Sequence, residues 1–217
     1  MSLKQQLADY RAGWFQRVPA ERQAAMERHI AELRNGLAKT ALKAGDRAPP
    51  IVLGNAKGAI VDVKALLARG PVIVTFYRGG WCPFCNLELK AFQQILPEIK
   101  AAGASLVAIS PEKPDDTLST AEKNALDFEV LSDVGQTVGR AFGLVYVFSE
   151  ELKQTYRQFG LDIPGKNGAD EWALPIAATY VIGRDGRIVY AYTDADYRDR
   201  AEPADVLKAL SAASLAA

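Results

Sequence analysis

The chain has 217 residues, 49% of them apolar, enough for a single domain with extensions and a substantial core. Its 26 Lys and Arg balance 26 Asp and Glu, a formal charge of zero that argues against nucleic-acid partners and against binding to an anionic membrane surface. No stretch approaches a membrane span, and the charged, amphipathic start lacks the apolar run of a signal peptide, so the expected location is the cytoplasm.

Residues 2–43 read as a helical arm. Leu3, Leu7, Tyr10 and Trp14 share one face, Val18-Pro19 breaks the pattern, and Met26, Ile30, Leu33 and Leu37 form a second stripe that Asn35-Gly36 can close. His29 lies one step off that stripe with no Asp, Cys or second His at ligand spacing, and is expected to be a solvated helix residue. The arm is expected either to pack on the core or to form a dimer contact. The turn 45–50 starts a new unit. A short strand at 51–53, a turn at 55–58 and a returning strand at 60–61 precede a short helix over 63–68. A buried strand over 72–77 leads into a helix over about 83–101, followed by a buried strand at 105–110, a helix at 114–125 and a short strand at 129–131. A helix through Val134, Val138, Ala141 and Phe142 ends at Gly143.

From 146 to 174 the pattern changes to an insert. Ser149 can cap a helix through Leu152, Tyr156 and Phe159, and 162–171 reads as a polar loop. A strand at 178–182, an Arg184-Asp185-Gly186-Arg187 turn and a strand at 188–192 form a hairpin, and 203–213 is a closing helix. Alternating strands and helices followed by a hairpin predict an α/β fold, a mixed central sheet flanked by helices, with the arm as an N-terminal extension.

The chemistry is concentrated in Phe76-Tyr77-Arg78-Gly79-Gly80-Trp81-Cys82-Pro83-Phe84-Cys85. This stretch holds the chain's only two cysteines. They sit where a strand ends, glycines turn the chain and a helix begins. A helix N-terminus presents free N–H groups and partial positive charge, which favour a thiolate. Cys82 falls at the cap, Pro83 in the first turn, and Cys85 about one turn further, so its side chain can face Cys82 and a disulfide is sterically natural. A zinc site would need more ligands than two cysteines and one histidine, so no metal is expected and the pair reads as redox-active. Being nearer the helix end, Cys82 is expected to be the more exposed thiol.

The Trp-Cys-x-x-Cys at the strand–helix junction resembles the thioredoxin fold. The start Asp46-x-Ala48-Pro49, the pair Phe76-Tyr77, the run Gly103-Ala104-x-Leu106-Val107-Ala108-Ile109-Ser110, Leu131-Ser132-Asp133 and Phe142-Gly143 resemble the alkyl hydroperoxide reductase/thiol-specific antioxidant group, the peroxiredoxins and their relatives. The resemblance covers 46 to about 210. It implies a thioredoxin-like domain over 44–217 carrying the 146–174 insert, beside the 1–43 arm. It also implies an antioxidant enzyme that needs no cofactor and reduces hydroperoxides with a thioredoxin-like or other dithiol reductant, with a homodimer as the implied assembly.

Position by position, the peroxiredoxin motif Pro-x-x-x-Thr-x-x-Cys places the peroxide-attacking cysteine at Cys85, with Arg78 at the Pro and Cys82 at the Thr. Thioredoxins place their nucleophile where Cys82 stands. Two enzyme readings follow: a peroxidase in which Cys85 attacks and Cys82 resolves, and a general thiol–disulfide oxidoreductase in which Cys82 attacks. A third is a redox-sensing binding module without turnover. Arg78 is the candidate cation for a peroxide's leaving oxygen, and Trp81 the candidate shield of the pair. The second arginine of peroxiredoxins would fall near 177, where Ala177 stands. The buried acid of thioredoxins would fall at Thr75, so no proton shuttle for the inner thiol is evident.

Overall fold

The computed structural model describes residues 1–215. Its centre is a seven-stranded mixed sheet in the order β2-β1-β5-β4-β3-β8-β9. The strands are β1 (Val52–Asn55), β2 (Ile60–Asp62), β3 (Val72–Phe76), β4 (Ser105–Ser110), β5 (Glu129–Ser132), β8 (Ala178–Ile182) and β9 (Ile188–Thr193). β3, β4 and β5 are parallel neighbours, while the β1–β2 and β8–β9 hairpins pair antiparallel at either side. Every residue of β3 is buried, as its near-continuous apolar run requires in a sheet covered on both faces. Side chains alternate along it. Val72, Val74 and Phe76 face one core, and Ile73 faces the other.

Helices cover both faces. α4 (Pro83–Gln94), α5 (Leu96–Ala101) and α10 (Pro203–Leu215) bury Phe92, Leu96, Ile99, Val206 and Leu210 on the Ile73 side. α3 (Val63–Leu67) and α7 (Thr137–Ala141) lie on the other side, and α6 (Pro114–Lys123) follows β4. The predicted single helix over 83–101 is two helices, broken at Ile95. Pro97 has no N–H to give Gln93, so the helical ladder cannot continue through it. The helix expected through Val134 starts only at Thr137, because the Asp133 carboxylate accepts the N–H groups of Val138 and Gly139 at 3.2 and 2.8 Å. Val134 itself is left 46% exposed.

The arm folds as α1 (Leu3–Arg17) and α2 (Ala20–Asn35), separated at Pro19. It straddles the sheet. Leu3 and Leu7 of α1 join the cluster around Cys82, Phe84 and Cys85, whereas Met26, Ile30 and Leu33 of α2 join the opposite core. His29 is not solvated as expected. Its ring lies 4.8 Å from Tyr146, and burial together with the Arg78 charge lowers it to about 4.

The insert closes on itself. Its ends pair as β6 (Val145–Val147) and β7 (Ala173–Pro175), a separate two-stranded sheet the sequence pattern did not signal. Between them lie α8 (Glu150–Gln158), capped by the Ser149 hydroxyl as expected, and α9 (Ile163–Asn167). The latter occupies part of the predicted polar loop, with Pro164 in its first turn and Gly168 at its end.

Candidate active site

The site is built where β3 runs into α4. Between them, Gly79 has φ +140°, and a Cβ there would meet Trp81 Nε1 at 2.3 Å and Glu112 Oε1 at 2.8 Å. At Gly80 a Cβ would lie 2.0 Å from Thr120 Oγ1. The two glycines let the turn press against buried side chains. Gly80 N–H donates to the Glu112 carboxyl group at 2.8 Å, and Asn86 Nδ2 donates to the Gly80 carbonyl at 2.8 Å. This pinned turn delivers Cys82 to the N-cap of α4 and Pro83 to its first position.

Both cysteines are free thiols, and neither is accessible: Cys82 is 1% exposed and Cys85 0%. The expected difference in exposure is therefore absent, because α1 covers the helix end. Leu3 and Leu7 share a cluster with both cysteines, and Tyr10 packs edge-on against Phe84 at 5.0 Å.

Charge, not exposure, distinguishes the two sulfurs. Each faces its own buried guanidinium. Arg78 Nη1 lies 3.7 Å from Cys82 Sγ, and Arg200 Nη2 lies 3.1 Å from Cys85 Sγ. Burial opposes ionisation of Cys82, but the hydrogen bond from Cys85 and the charges of Arg78 and Arg200 outweigh it and lower the thiol to about 5. Burial, the bond to Cys82 and the Cys82 charge push Cys85 well above the ordinary thiol range. The pair thus holds one proton and one negative charge at neutral pH, with the charge on Cys82.

Arg78 is 2% exposed, so it is no surface residue of the turn. It donates to the Tyr156 hydroxyl and lies over the rings of Tyr197 at 4.1 Å, Trp81 at 5.0 Å and Tyr156 at 5.7 Å. Trp81 is half-buried and meets Tyr156 edge-on at 6.1 Å, which places it as a wall of the Arg78 chamber. The insert supplies Tyr156, and the segment between β9 and α10 supplies Tyr197.

The sequence motifs do not place Arg200, Glu88, Tyr197 or Tyr156, the last read only as part of an apolar helix face, in the site. Ala177 is indeed no arginine. The cation at Cys85 comes instead from Arg200, in a stretch between β9 and α10 with no periodic pattern. A carboxylate for the inner thiol also exists. Glu88 follows Cys85 by three residues on the same helical face, a spacing that could have revealed it. Arg200 Nε donates to Glu88 Oε2 at 2.8 Å, and Thr179 Oγ1 donates to Oε1 at 3.3 Å. Burial raises Glu88 to about 7 in spite of Arg200, while Arg200 stays charged, so the pair is a fixed cation beside a proton-labile carboxyl group.

The arm and the β9–α10 segment are tied together. Arg198, wholly buried, pairs with Asp196 at 2.6 Å and with Glu27 of α2 at 2.7 Å, and Arg11 of α1 reaches Asp196 at 3.4 Å. Tyr197 and Arg200 flank this knot. Among the described residues no cluster of three or more His, Cys, Asp or Glu is placed to hold a metal ion, and no helix is long and apolar enough to cross a membrane.

Comparison with known proteins bears on the fold and the family. The chain is 33% identical over 152 residues to Mycobacterium tuberculosis Rv2521, which bears a provisional peroxiredoxin name; the match spans 70% of this chain and 85% of that protein. It is 34% identical over 103 residues to peroxiredoxin Bcp of Escherichia coli, covering 48% of this chain and 65% of that protein. Among solved structures, peroxidoxin BcpB of M. tuberculosis superposes with a TM-score of 0.62 at 24% identity, over 79% of this chain and 97% of that one. Xanthomonas campestris peroxiredoxin Q gives 0.57 at 21%, over 76% and 91%. Both share the thioredoxin-like fold. With residues 44–191 matching its family model, and with that fold carrying a paired-cysteine site at the strand–helix junction, the chain belongs to the AhpC/TSA family.

Proposed function

We propose that this protein is a thiol-dependent peroxidase that reduces hydroperoxides through a Cys82–Cys85 disulfide. The observation that carries the reading is two adjacent buried sulfurs, each beside its own buried guanidinium, an arrangement that favours an ionised Cys82 and a protonated Cys85. The family and the peroxiredoxin names of its relatives supply the substrate class. Cys82 thiolate attacks the terminal peroxide oxygen, the O–O bond breaks, Cys82 becomes the sulfenic acid, and the departing alkoxide takes a proton from solvent and leaves as the alcohol. Arg78 stabilises the charge that develops on the departing oxygen. Cys85 sulfur then attacks the Cys82 sulfenic acid, water leaves, and the disulfide forms. The Cys85 proton passes to the leaving hydroxide, and Glu88, near 7, is suited to relay it. Thiols return the pair to its reduced state, with a thioredoxin-like dithiol as the expected partner. The homodimer implied by resemblance belongs to this proposal and is read by sedimentation.

A second order of attack has its own observation. Cys85, the position that matches the peroxide-attacking cysteine of peroxiredoxins, carries Arg200 at 3.1 Å with Glu88 behind it. Single-turnover oxidation separates the two. Reduced wild type, Cys82→Ser and Cys85→Ser each meet stoichiometric hydrogen peroxide while free thiol and intact mass are followed. We expect wild type to lose both thiols to an intramolecular disulfide, and Cys85→Ser to accumulate a sulfenate on Cys82. A fast sulfenate in Cys82→Ser instead assigns the attack to Cys85. If wild type reacts no faster than free cysteine, the peroxidase reading fails.

A further inference from the structure

Among the described residues no carboxylate pairs with Arg78, a buried cation. Its side chain meets the hydroxyls of Tyr156 and Tyr146, three aromatic faces and Cys82 Sγ, while its Nε has no hydrogen-bond partner. Tyr146, Tyr197 and Cys85 also feel its charge, but burial holds each of them protonated at neutral pH. The Cys82 thiolate is therefore its counter-charge. Arg200 is differently placed, since it has the Glu88 carboxyl group at 2.8 Å as well as Cys85 Sγ at 3.1 Å.

A disulfide is neutral. When Cys82 and Cys85 join, Arg200 keeps an ionisable partner, whereas Arg78 is left buried among rings and the hydroxyls of Tyr146 and Tyr156. Removing one member of a buried charge pair is costly, and here the cost falls on the oxidised protein alone. A pair whose reduced form is selectively stabilised is an oxidant.

We propose that the Cys82–Cys85 couple is oxidising, held reduced by the Arg78 guanidinium, and that its disulfide is discharged by monothiols of the glutathione type as well as by protein dithiols. This rests on the Cys82–Cys85 disulfide of the proposed function and names its reductant class. A first monothiolate attacks one sulfur of the disulfide, forming a mixed disulfide and releasing the other cysteine. A second attacks the mixed disulfide and leaves as the oxidised monothiol dimer. Two electrons pass from the two monothiols to the pair. One proton ends on Cys85 and the other in solvent, since Cys82 remains a thiolate.

The test is equilibration with glutathione at graded ratios of reduced to oxidised form. The disulfide fraction is read by thiol alkylation and mass. Wild type should be mostly reduced in a mixture that leaves a thioredoxin reference mostly oxidised. Arg78→Met should favour the disulfide at least about tenfold, a fall of roughly 30 mV for a two-electron couple. Arg78→Lys, which keeps the charge, should restore most of the difference, and Arg200→Met should shift the equilibrium less than Arg78→Met because Glu88 can take up a proton. A wild-type pair as easily oxidised as the reference overturns the proposal whether or not the variants fold, as does an Arg78→Met equilibrium that is unmoved or moves toward the thiols. Absence of any Cys82–Cys85 disulfide would instead remove the proposed function on which the inference stands.

Discussion

Replacing Glu112 by Gln removes a titrating group from beneath the turn that presents Arg78 and Cys82. Glu112 is 2% exposed and accepts the Gly80 N–H at 2.8 Å. Burial, reinforced by the Asp116 charge, raises its carboxyl group from 4.5 to about 7 although the Gly80 N–H favours the ionised form. The folded protein therefore keeps a proton that the unfolded chain releases near 4.5. The stability contributed by that proton is complete below 4.5 and is lost as pH rises through 7. Two and a half pKa units correspond to about 3 kcal/mol. Gln retains an acceptor for Gly80 and cannot ionise. The variant's stability relative to wild type should thus rise by about 3 kcal/mol between pH 4.5 and 8. Glu88, raised in the same sense, is present in both proteins and cancels in the difference. Urea unfolding in reductant, followed by circular dichroism at half-unit steps of pH, measures the two curves. Parallel curves would refute the reasoning, because they would mean that Glu112 titrates alike in both states.

Two further substitutions probe how the arm is held. Gly143 has φ +71°, and a Cβ there would lie 2.6 Å from the Thr40 carbonyl, so Gly143→Ala should destabilise by more than the ~1 kcal/mol that an unstrained exchange gains, and lower the thermal midpoint accordingly. Arg198→Met strips the buried Asp196 carboxylate of its bidentate partner and Glu27 of its cation. It should cost about 3 kcal/mol and, by loosening Tyr197 and Arg200, speed alkylation of the two thiols. An alkylation rate equal to that of wild type would separate the clamp from the site.

The sheet and the redox turn were legible because their signals are local. β3 is an unbroken apolar run, the glycines and Pro83 mark the turn and helix start, and Cys-x-x-Cys needs no tertiary information. Arg78 and Trp81 were reachable for the same reason, since both lie within four residues of Cys82. What was hidden depends on contacts between distant segments. Arg200 stands 115 residues from Cys85, in a stretch without periodicity, and nothing in its neighbours announces that it turns inward. The burial of both thiols is equally non-local. It depends on α1 crossing the end of α4, and an amphipathic helix does not state which surface it will cover. The burial of His29 is non-local too: its own helix leaves it off the apolar stripe, and Tyr146 of the insert covers it. Glu88 is the exception: a carboxylate one turn from Cys85 is visible in the spacing, although the thioredoxin resemblance points to the strand at Thr75 instead.

The stacking of arginine on indole turns the site into its own optical reporter. The chain has three tryptophans, and each lies against a guanidinium: Trp14 against Arg198, Trp172 against Arg157 and Trp81 against Arg78. Of these arginines, Arg78 is the one that touches a cysteine sulfur. A change of charge on Cys82 alters the field on the indole it faces through a single intervening side chain, while the other two rings sit against cations paired elsewhere or exposed to solvent. Emission from Trp81 should therefore follow the oxidation state of the pair in real time without a label, and a protein keeping Trp81 alone would make each step of the cycle visible in a stopped-flow trace.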